Sequence, residues 1–362
     1  MRGAHVLPLE RVVTLAALAF TNLLPPFDKL DARAATFTTM RYVIGFVGGW
    51  LALLLCGCAH RGVIAEAQSG VAAEFVGSSP GDALARDFVG GLASNAPCHN
   101  IAWQLTLLTN QHTGLPSTFR LTALYQVPTR SNPNRSEGGP RVALDGTWEI
   151  LKGARSRPEA VVYRLHAAEP QRSVSFVKVG EHLLHLLNPD GSLAVGNGGW
   201  SYTLNHAVRA EKPGDMTAAL NAPEMTYKIS PLATGPTVFG VFEGRTPCHG
   251  ISRELKLSQH AGCIKSKWRV TLYQNPETSA PTTYKVEGSL FRDGAREGTW
   301  SITRGAATDA NASVYQLNPT PTQPALLLMK GDDNVLFFLD EHRAPLVGHA
   351  EFSYTLNRVA PK

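Results

Sequence analysis

The sequence predicts an all-β protein: two tandem small antiparallel β-barrels following an N-terminal export signal. Three observations carry that expectation. Short alternating apolar segments punctuated by Gly, Pro and Asn fill the chain, with almost no helical period of 3.6. An ordered set of landmarks occurs twice: Pro97-Cys98-His99 and Pro247-Cys248-His249, Gly146-Thr147-Trp148 and Gly298-Thr299-Trp300, Ser201-Tyr202-Thr203-Leu204 and Ser353-Tyr354-Thr355-Leu356. The copies stand 150 positions apart at the cysteine (98 to 248) and 152 apart at the tryptophan (148 to 300) and tyrosine (202 to 354). A period this long signals duplication of a whole domain, because solenoid units run only about 20–50 residues.

The remaining composition limits function by exclusion. A chain of 362 residues with 43% hydrophobic content can bury sizeable cores. Its formal charge of +5 comes from 34 basic and 29 acidic residues spread through the chain, without the basic blocks or interleaved aromatics of nucleic-acid binders. No phosphate-cradling glycine loop, His-Glu-x-x-His or Gly-x-Ser-x-Gly occurs, so no enzyme is expected.

Taken in order, the chain first offers Met40-Arg41-Tyr42, an apolar run of 13 residues from Val43 to Leu55, and Cys56-Gly57-Cys58. A basic start and a short apolar core are the parts of a secretory signal, and a membrane-spanning helix needs about 20 residues. The end of the stretch resembles a bacterial lipobox. That resemblance makes residues 40–57 a signal peptide and Cys58 the lipid-bearing first mature residue. Residues 1–39 are then expected to be a non-native extension, with Met40 the true start; the apolar run Val12 to Leu24 is the rival signal. Ala59, rather than an aspartate, follows Cys58 and implies sorting to the outer membrane.

A flexible tether is expected over 58–86, a first barrel over 87–208, a linker over 209–237 and a second barrel over 238–362. In the first barrel Ile101, Trp103, Leu105 and Leu107 share one face of a strand, Gln111 to Gly114 form a turn, and Phe119, Leu121 and Ala123 begin the return. Strands around Trp148, Val161 to Leu165, Val174 to Val179, Leu183 to Leu187 and Trp200 to Leu204 follow. In the second, Ile251, Leu255 and Leu257 read as the first strand, Gln259 to Gly262 as the turn, and Trp268, Val270 and Leu272 as the return. Seven or so short strands per unit suit a small barrel or sandwich, and closing a barrel would remove exposed strand edges.

These residues together resemble the N-terminal domain of the NlpE family of envelope lipoproteins, linked to copper resistance and surface sensing. The match rests on the Pro-Cys before the first strand, the Gly-x-Trp strand, the late Leu-Leu strand and the closing Tyr-Thr-Leu. It covers roughly Phe88 to Val208 and Val238 to Val359. It implies a lipocalin-like barrel and a non-enzymatic role in envelope or surface stress sensing or copper tolerance. The expected partners are outer-membrane lipid, held through a palmitate-bearing N-terminus, and envelope signalling proteins. The alternative is a carrier of lipid or another small hydrophobic ligand inside the barrel. The family's Cys-x-x-Cys is broken in both copies, where Ile101 and Ile251 occupy the second position.

Cys98, His99, Cys248 and His249 are therefore the candidate metal ligands, with copper the candidate ion, because thiolate and imidazole both suit soft metals. Against this, adjacent residues of an extended chain face opposite ways, and a small cysteine commonly just fixes a strand start. His112 and His260 lie too far along the hairpin to share the site, and His182 and His185 read as surface or packing residues. Cys263 has no counterpart in the first unit, and hairpin spacing disfavours its pairing with Cys248. The odd number of cysteines after Cys58 leaves at least one free thiol or an intermolecular link, with no connectivity assigned. Trp148, Trp300, Tyr202 and Tyr354 read as core residues. If the barrel holds a cavity, these four and Leu183, Leu187, Val335 and Leu339 would line its apolar interior.

Overall fold

The computed structural model describes residues 69–360 except 134–135, 212–236, 259–262, 292–293 and 319–322. The expectations for residues 1–68, including the signal peptide and Cys58, and for His260 and most of the linker lie outside the described residues. Two eight-stranded closed antiparallel barrels are present, each with its strands in sequence order. The first comprises β1 (Ser69–Pro80), α1 (Ala83–Val89), β2 (Asn100–Asn110), β3 (Pro116–Pro128), β4 (Ser136–Ala154), β5 (Arg157–Ala167), β6 (Arg172–Val179), β7 (Leu183–Leu186) and β8 (Thr203–His206). The second comprises β9 (Val238–Thr246), α2 (His249–Glu254), β10 (Ser266–Gln274), β11 (Pro281–Gly288), β12 (Arg296–Ala306), β13 (Asp309–Asn318), β14 (Leu326–Lys330), β15 (Val335–Leu339) and β16 (Thr355–Arg358). Closure comes from pairing of β1 with β8 and of β9 with β16.

Two boundaries differ from the sequence reading. The first barrel begins at Ser69, inside the expected tether, because the small residues of Ser69–Pro80 still alternate enough to bury Phe75 and Gly77 while pairing with β2 along their whole length. In the second barrel the segment read as the first strand is α2, and Trp268, Val270 and Leu272 lie on the outgoing strand β10, which pairs with β11. Ile251 and Leu255 are four apart, a spacing that serves one face of a helix as well as a strand, and both join the second barrel's core.

The corrected alignment is confirmed atom by atom. The β2–β3 turn has Asn110 Oδ1 accepting the N–H groups of His112 and Thr113; the β10–β11 turn has Asn275 Oδ1 accepting those of Glu277 and Thr278. Gly114, at φ 68°, matches Ser279, at φ 57°. The indole of Trp103 donates to Ser79 Oγ, and that of Trp268 to Thr246 Oγ1. The first strands are thus related by 167 positions (79 to 246), the next hairpin by 165 (103 to 268) and the later parts by 152. The first barrel's longer β3–β4 hairpin accounts for the change from 165 to 152.

Buried aromatic and aliphatic side chains pack inside each barrel. Trp103, Phe119, Leu121, Trp148, Phe176 and Leu204 are among the buried residues of the first, and α1 closes one end by laying Phe88 over Trp103 with ring centroids 6.4 Å apart. Trp268, Phe338, Tyr354 and Leu356 do the same in the second. α1 ends at Gly90, whose φ of 68° suits glycine. As expected, Trp148, Trp300, Tyr202 and Tyr354 are all core residues.

A third core lies between the barrels. Along β7 and β15 the side chains alternate: Leu184, Leu186, Leu336 and Phe338 point into their own barrels, whereas Leu183, Leu187, Val335, Phe337 and Leu339 pack in the shared core with Val177, Val314 and Met329. The sequence assignment of Leu183, Leu187, Val335 and Leu339 to a barrel interior is therefore corrected. These strands read as unbroken apolar runs because both of their faces are buried.

The contact is made by matched residues, as in a two-fold dimer interface. Ser201 Oγ meets Ser353 Oγ at 2.6 Å, and Thr203 Oγ1 meets Thr355 Oγ1 at 2.9 Å, each pair 152 apart in sequence. Gly196 N–H donates to Asn357 Oδ1 at 2.7 Å, and its counterpart Gly348 N–H donates to Asn205 Oδ1 at 2.8 Å. His185, fully buried, packs edge-on against its counterpart Phe337. Its Nε2 donates to Ala194 O at 2.9 Å, which leaves Nδ1 to accept from Thr203 Oγ1 at 2.8 Å.

Candidate functional site

The two Pro-Cys corners are not equivalent in space, although they look so in sequence. In the second barrel, Pro247 and Cys248 end β9 and open α2, and Cys248 forms a disulfide with Cys263 at a Cα–Cα distance of 6.0 Å. The expectation against this pairing is corrected: it assumed that residues 249–257 run away as a strand, and the helical turn instead brings the chain back toward Ser266. Ser266 Oγ also contacts Cys248 Sγ, at 3.5 Å.

In the first barrel the position matching Cys248 is Gly81, and the one matching Cys263 is Cys98. Both barrels keep the hydroxyl-Pro step before this point: Ser79 and Thr246 each donate to the following proline carbonyl. A Cβ built on Gly81 would lie 2.4 Å from Cys98 Sγ and 2.9 Å from its Cβ, so the glycine occupies one end of the disulfide position. Cys98 remains a free thiol. Its Sγ donates to Asn100 O at 3.3 Å, and burial pushes its pKa up, with the nearby Arg86 guanidinium opposing.

The four candidate metal ligands separate accordingly. Cys248 Sγ is bonded to sulfur, while Cys98 Sγ sits over Gly81. His99 is directed elsewhere, its Nδ1 lying 2.6 Å from Ser136 Oγ in an exposed position. His249 opens α2. Among the described residues, no cluster of three or more His, Cys, Asp or Glu side chains forms a metal-binding arrangement.

Beside each corner lies a buried tyrosine bonded to a carboxylate, which no sequence motif announces; Asp82 is exposed and Glu211 half-buried. Tyr202 donates to Asp82, the residue preceding α1. Tyr354 donates to Glu211 Oε1 at 2.8 Å and accepts Gly250 N–H at 2.9 Å. Asp82 lies next to Gly81, so local sequence supplies the acid in the first barrel. His249 holds the matching place in the second, and the acid comes instead from Glu211, just after the first barrel, anchored by its N–H to Gly348 O. Burial raises the pKa of Glu211, against the pull of Tyr354 and His249. Burial and the adjacent carboxylate raise both tyrosines far above the ordinary phenol range.

This arrangement fixes chain geometry more readily than it transfers protons. Tyr354→Phe should cost about 1–3 kcal/mol, because Gly250 N–H and Glu211 Oε1 lose their partner. Urea unfolding would measure it; an unchanged midpoint would remove the structural role assigned to this pair. No protein-family model matches the chain, and neither the curated proteins nor the solved structures contain a significant match to it.

Proposed function

We propose that this chain is a non-enzymatic bacterial envelope lipoprotein, held on the outer membrane through acylated Cys58 and acting through protein contact in envelope or surface stress sensing. The observation that carries the export part of this reading is the Cys248–Cys263 disulfide. Structural disulfides persist in oxidising compartments and are rare in the cytosol. It stands downstream of a segment with the parts of an export signal ending at a lipobox-like cysteine.

Contact rather than carriage is favoured by the barrel interiors, where buried aromatic and aliphatic side chains pack against one another. Two barrels joined through a shared core present a rigid outer surface suited to recognition by another protein. The expected result is incorporation of labelled palmitate into the native chain and its loss in Cys58→Ala, with release of the protein from the membrane fraction. Labelling that persists in Cys58→Ala, or a wholly cytosolic native protein, would overturn the anchor and the reading built on it.

A further inference from the structure

The second barrel carries two cations side by side where the first has uncharged residues. Arg245 on β9 and Lys267 on β10 are direct cross-strand partners, so their side chains leave the same face of the sheet, opposite to the core residues Trp268 and Phe242. Their counterparts, Ser78 and Ala102, form the matching pair between β1 and β2. Like charges set directly opposite each other on neighbouring strands destabilise a sheet. Among the described residues neither side chain has an ion-pair or hydrogen-bond partner. Glu243, two residues before Arg245, is engaged by Arg269, whose Nε lies 2.6 Å from Oε1.

The first barrel holds the arginine in place. Its loop at residues 197–200 reaches β9, with Asn197 Oδ1 accepting the N–H groups of Gly199 and Trp200. A Cβ on Gly198 would lie 2.9 Å from Glu243 Oε2, so a glycine lets the loop come this close. The Trp200 ring centroid then lies 5.5 Å from the Arg245 guanidinium carbon, a cation–π contact that covers one side of the group. Arg245 Nε is buried without a hydrogen bond, while Arg245 and Lys267 as residues are half-buried and partly open to solvent. Burial lowers the pKa of Arg245, with no neighbouring charge opposing it.

We propose that Arg245 and Lys267 bind the phosphate group of a phosphate monoester, the guanidinium taking two oxygens and the ammonium a third. A guanidinium matches two oxyanion oxygens at once, and an ammonium adds a point charge. Two uncompensated positive charges match a group that carries close to two negative charges near neutral pH, since the second pKa of a phosphate monoester is about 6. A bound dianion also relieves the repulsion within the bare pair. A carboxylate supplies half that charge. A nucleic-acid backbone needs a longer run of open cations, and here the flanking Arg269 is paired with Glu243. The inference rests on this seam alone and is independent of the membrane anchor.

The test uses the full chain at low ionic strength and calorimetry with methyl phosphate, dimethyl phosphate and acetate. Expected is saturable binding of methyl phosphate, at least about tenfold tighter than that of either monoanion. Arg245→Ser and Lys267→Ala, which install the first barrel's residues at the matching places, should each weaken it at least about tenfold. Lys152→Ala, at an exposed lysine on the other barrel, should leave it unchanged. Lys267→Ala removes a like-charged neighbour and keeps the test valid if Arg245→Ser fails to fold. Co-sedimentation with phosphatidylcholine vesicles, with and without phosphatidic acid, separates the sources: capture by phosphatidic acid assigns a lipid headgroup, and methyl phosphate binding without capture assigns a free phosphate ester. The proposal is overturned if methyl phosphate does not bind saturably up to about 10 mM, if acetate binds as well, or if affinity survives Lys267→Ala.

Discussion

Gly81→Cys is expected to form a disulfide with Cys98 and to stabilise the first barrel by about 3 kcal/mol, the chain-entropy value for a loop of this length. The matching positions in the second barrel, Cys248 and Cys263, are already bonded at a Cα–Cα distance of 6.0 Å. A Cβ on Gly81 lies 2.9 Å from Cys98 Cβ, closer than the ~3.5–4.5 Å of a relaxed disulfide, so the two segments must part slightly. Residues 94–98 form an irregular connection rather than a strand, which allows that movement. A rise of about 6–12 °C in the melting temperature of the first barrel should accompany a cross-linked peptide joining positions 81 and 98. If Cys98 still alkylates fully in the variant, the alignment of Gly81 with Cys248 is wrong.

The second large effect is loss of stability on mild acidification, concentrated in the contact between the barrels. Burial lowers the pKa of His185 to about 4, and that of His349 to about 4. Both act as acceptors through Nδ1: His185 toward Thr203, and His349 toward the N–H groups of Glu351 and Phe352. Protonation therefore opposes existing bonds as well as burial. The unfolded chain takes up these protons near the ordinary histidine pKa of about 6.5, whereas the folded chain resists them until about 4. Stability supplied by the neutral rings is fully present above about 6.5 and is lost as the pH falls through that window.

At pH 5 the loss is about 2 kcal/mol for each ring, a substantial part of the ~5–15 kcal/mol that holds a typical domain. Glu211 and Asp332, whose pKa values are raised by burial, work in the opposite direction and blunt the net effect. Urea midpoints measured at pH 7 and pH 5 should differ, and His185→Phe, which installs the residue type of its counterpart Phe337, should reduce the difference. Equal midpoints at the two pH values would contradict the buried neutral state of both histidines.

The sequence alone determined that the chain is all-β and duplicated; its strand spacing suited a barrel or a sandwich, and the pairing of β1 with β8 and of β9 with β16 decided for closed barrels. Period-two alternation and the twice-occurring Gly-Thr-Trp and Ser-Tyr-Thr-Leu are local signals that survive in a single chain. Those late landmarks hold a constant offset of 152 because the same 54 positions separate Trp148 from Tyr202 and Trp300 from Tyr354. The early offset was misleading, since Pro-Cys-His occurs twice by residue type but at two different places in the barrel. Only the pairing of β10 with β11 revealed which cysteine corresponds to which.

Tertiary structure alone decided what lies on the second face of the late strands. Leu183, Leu187, Val335 and Leu339 have the same composition whether they line a cavity or meet another barrel, and the alternation pattern carries no label for either. The disulfide, the Glu211–Tyr354 bond and the stacking of Arg245 on Trp200 join residues distant in sequence or on different barrels. Their chemistry depends on distance and burial, which arise only when the barrels close and pack, so no stretch of sequence could announce them.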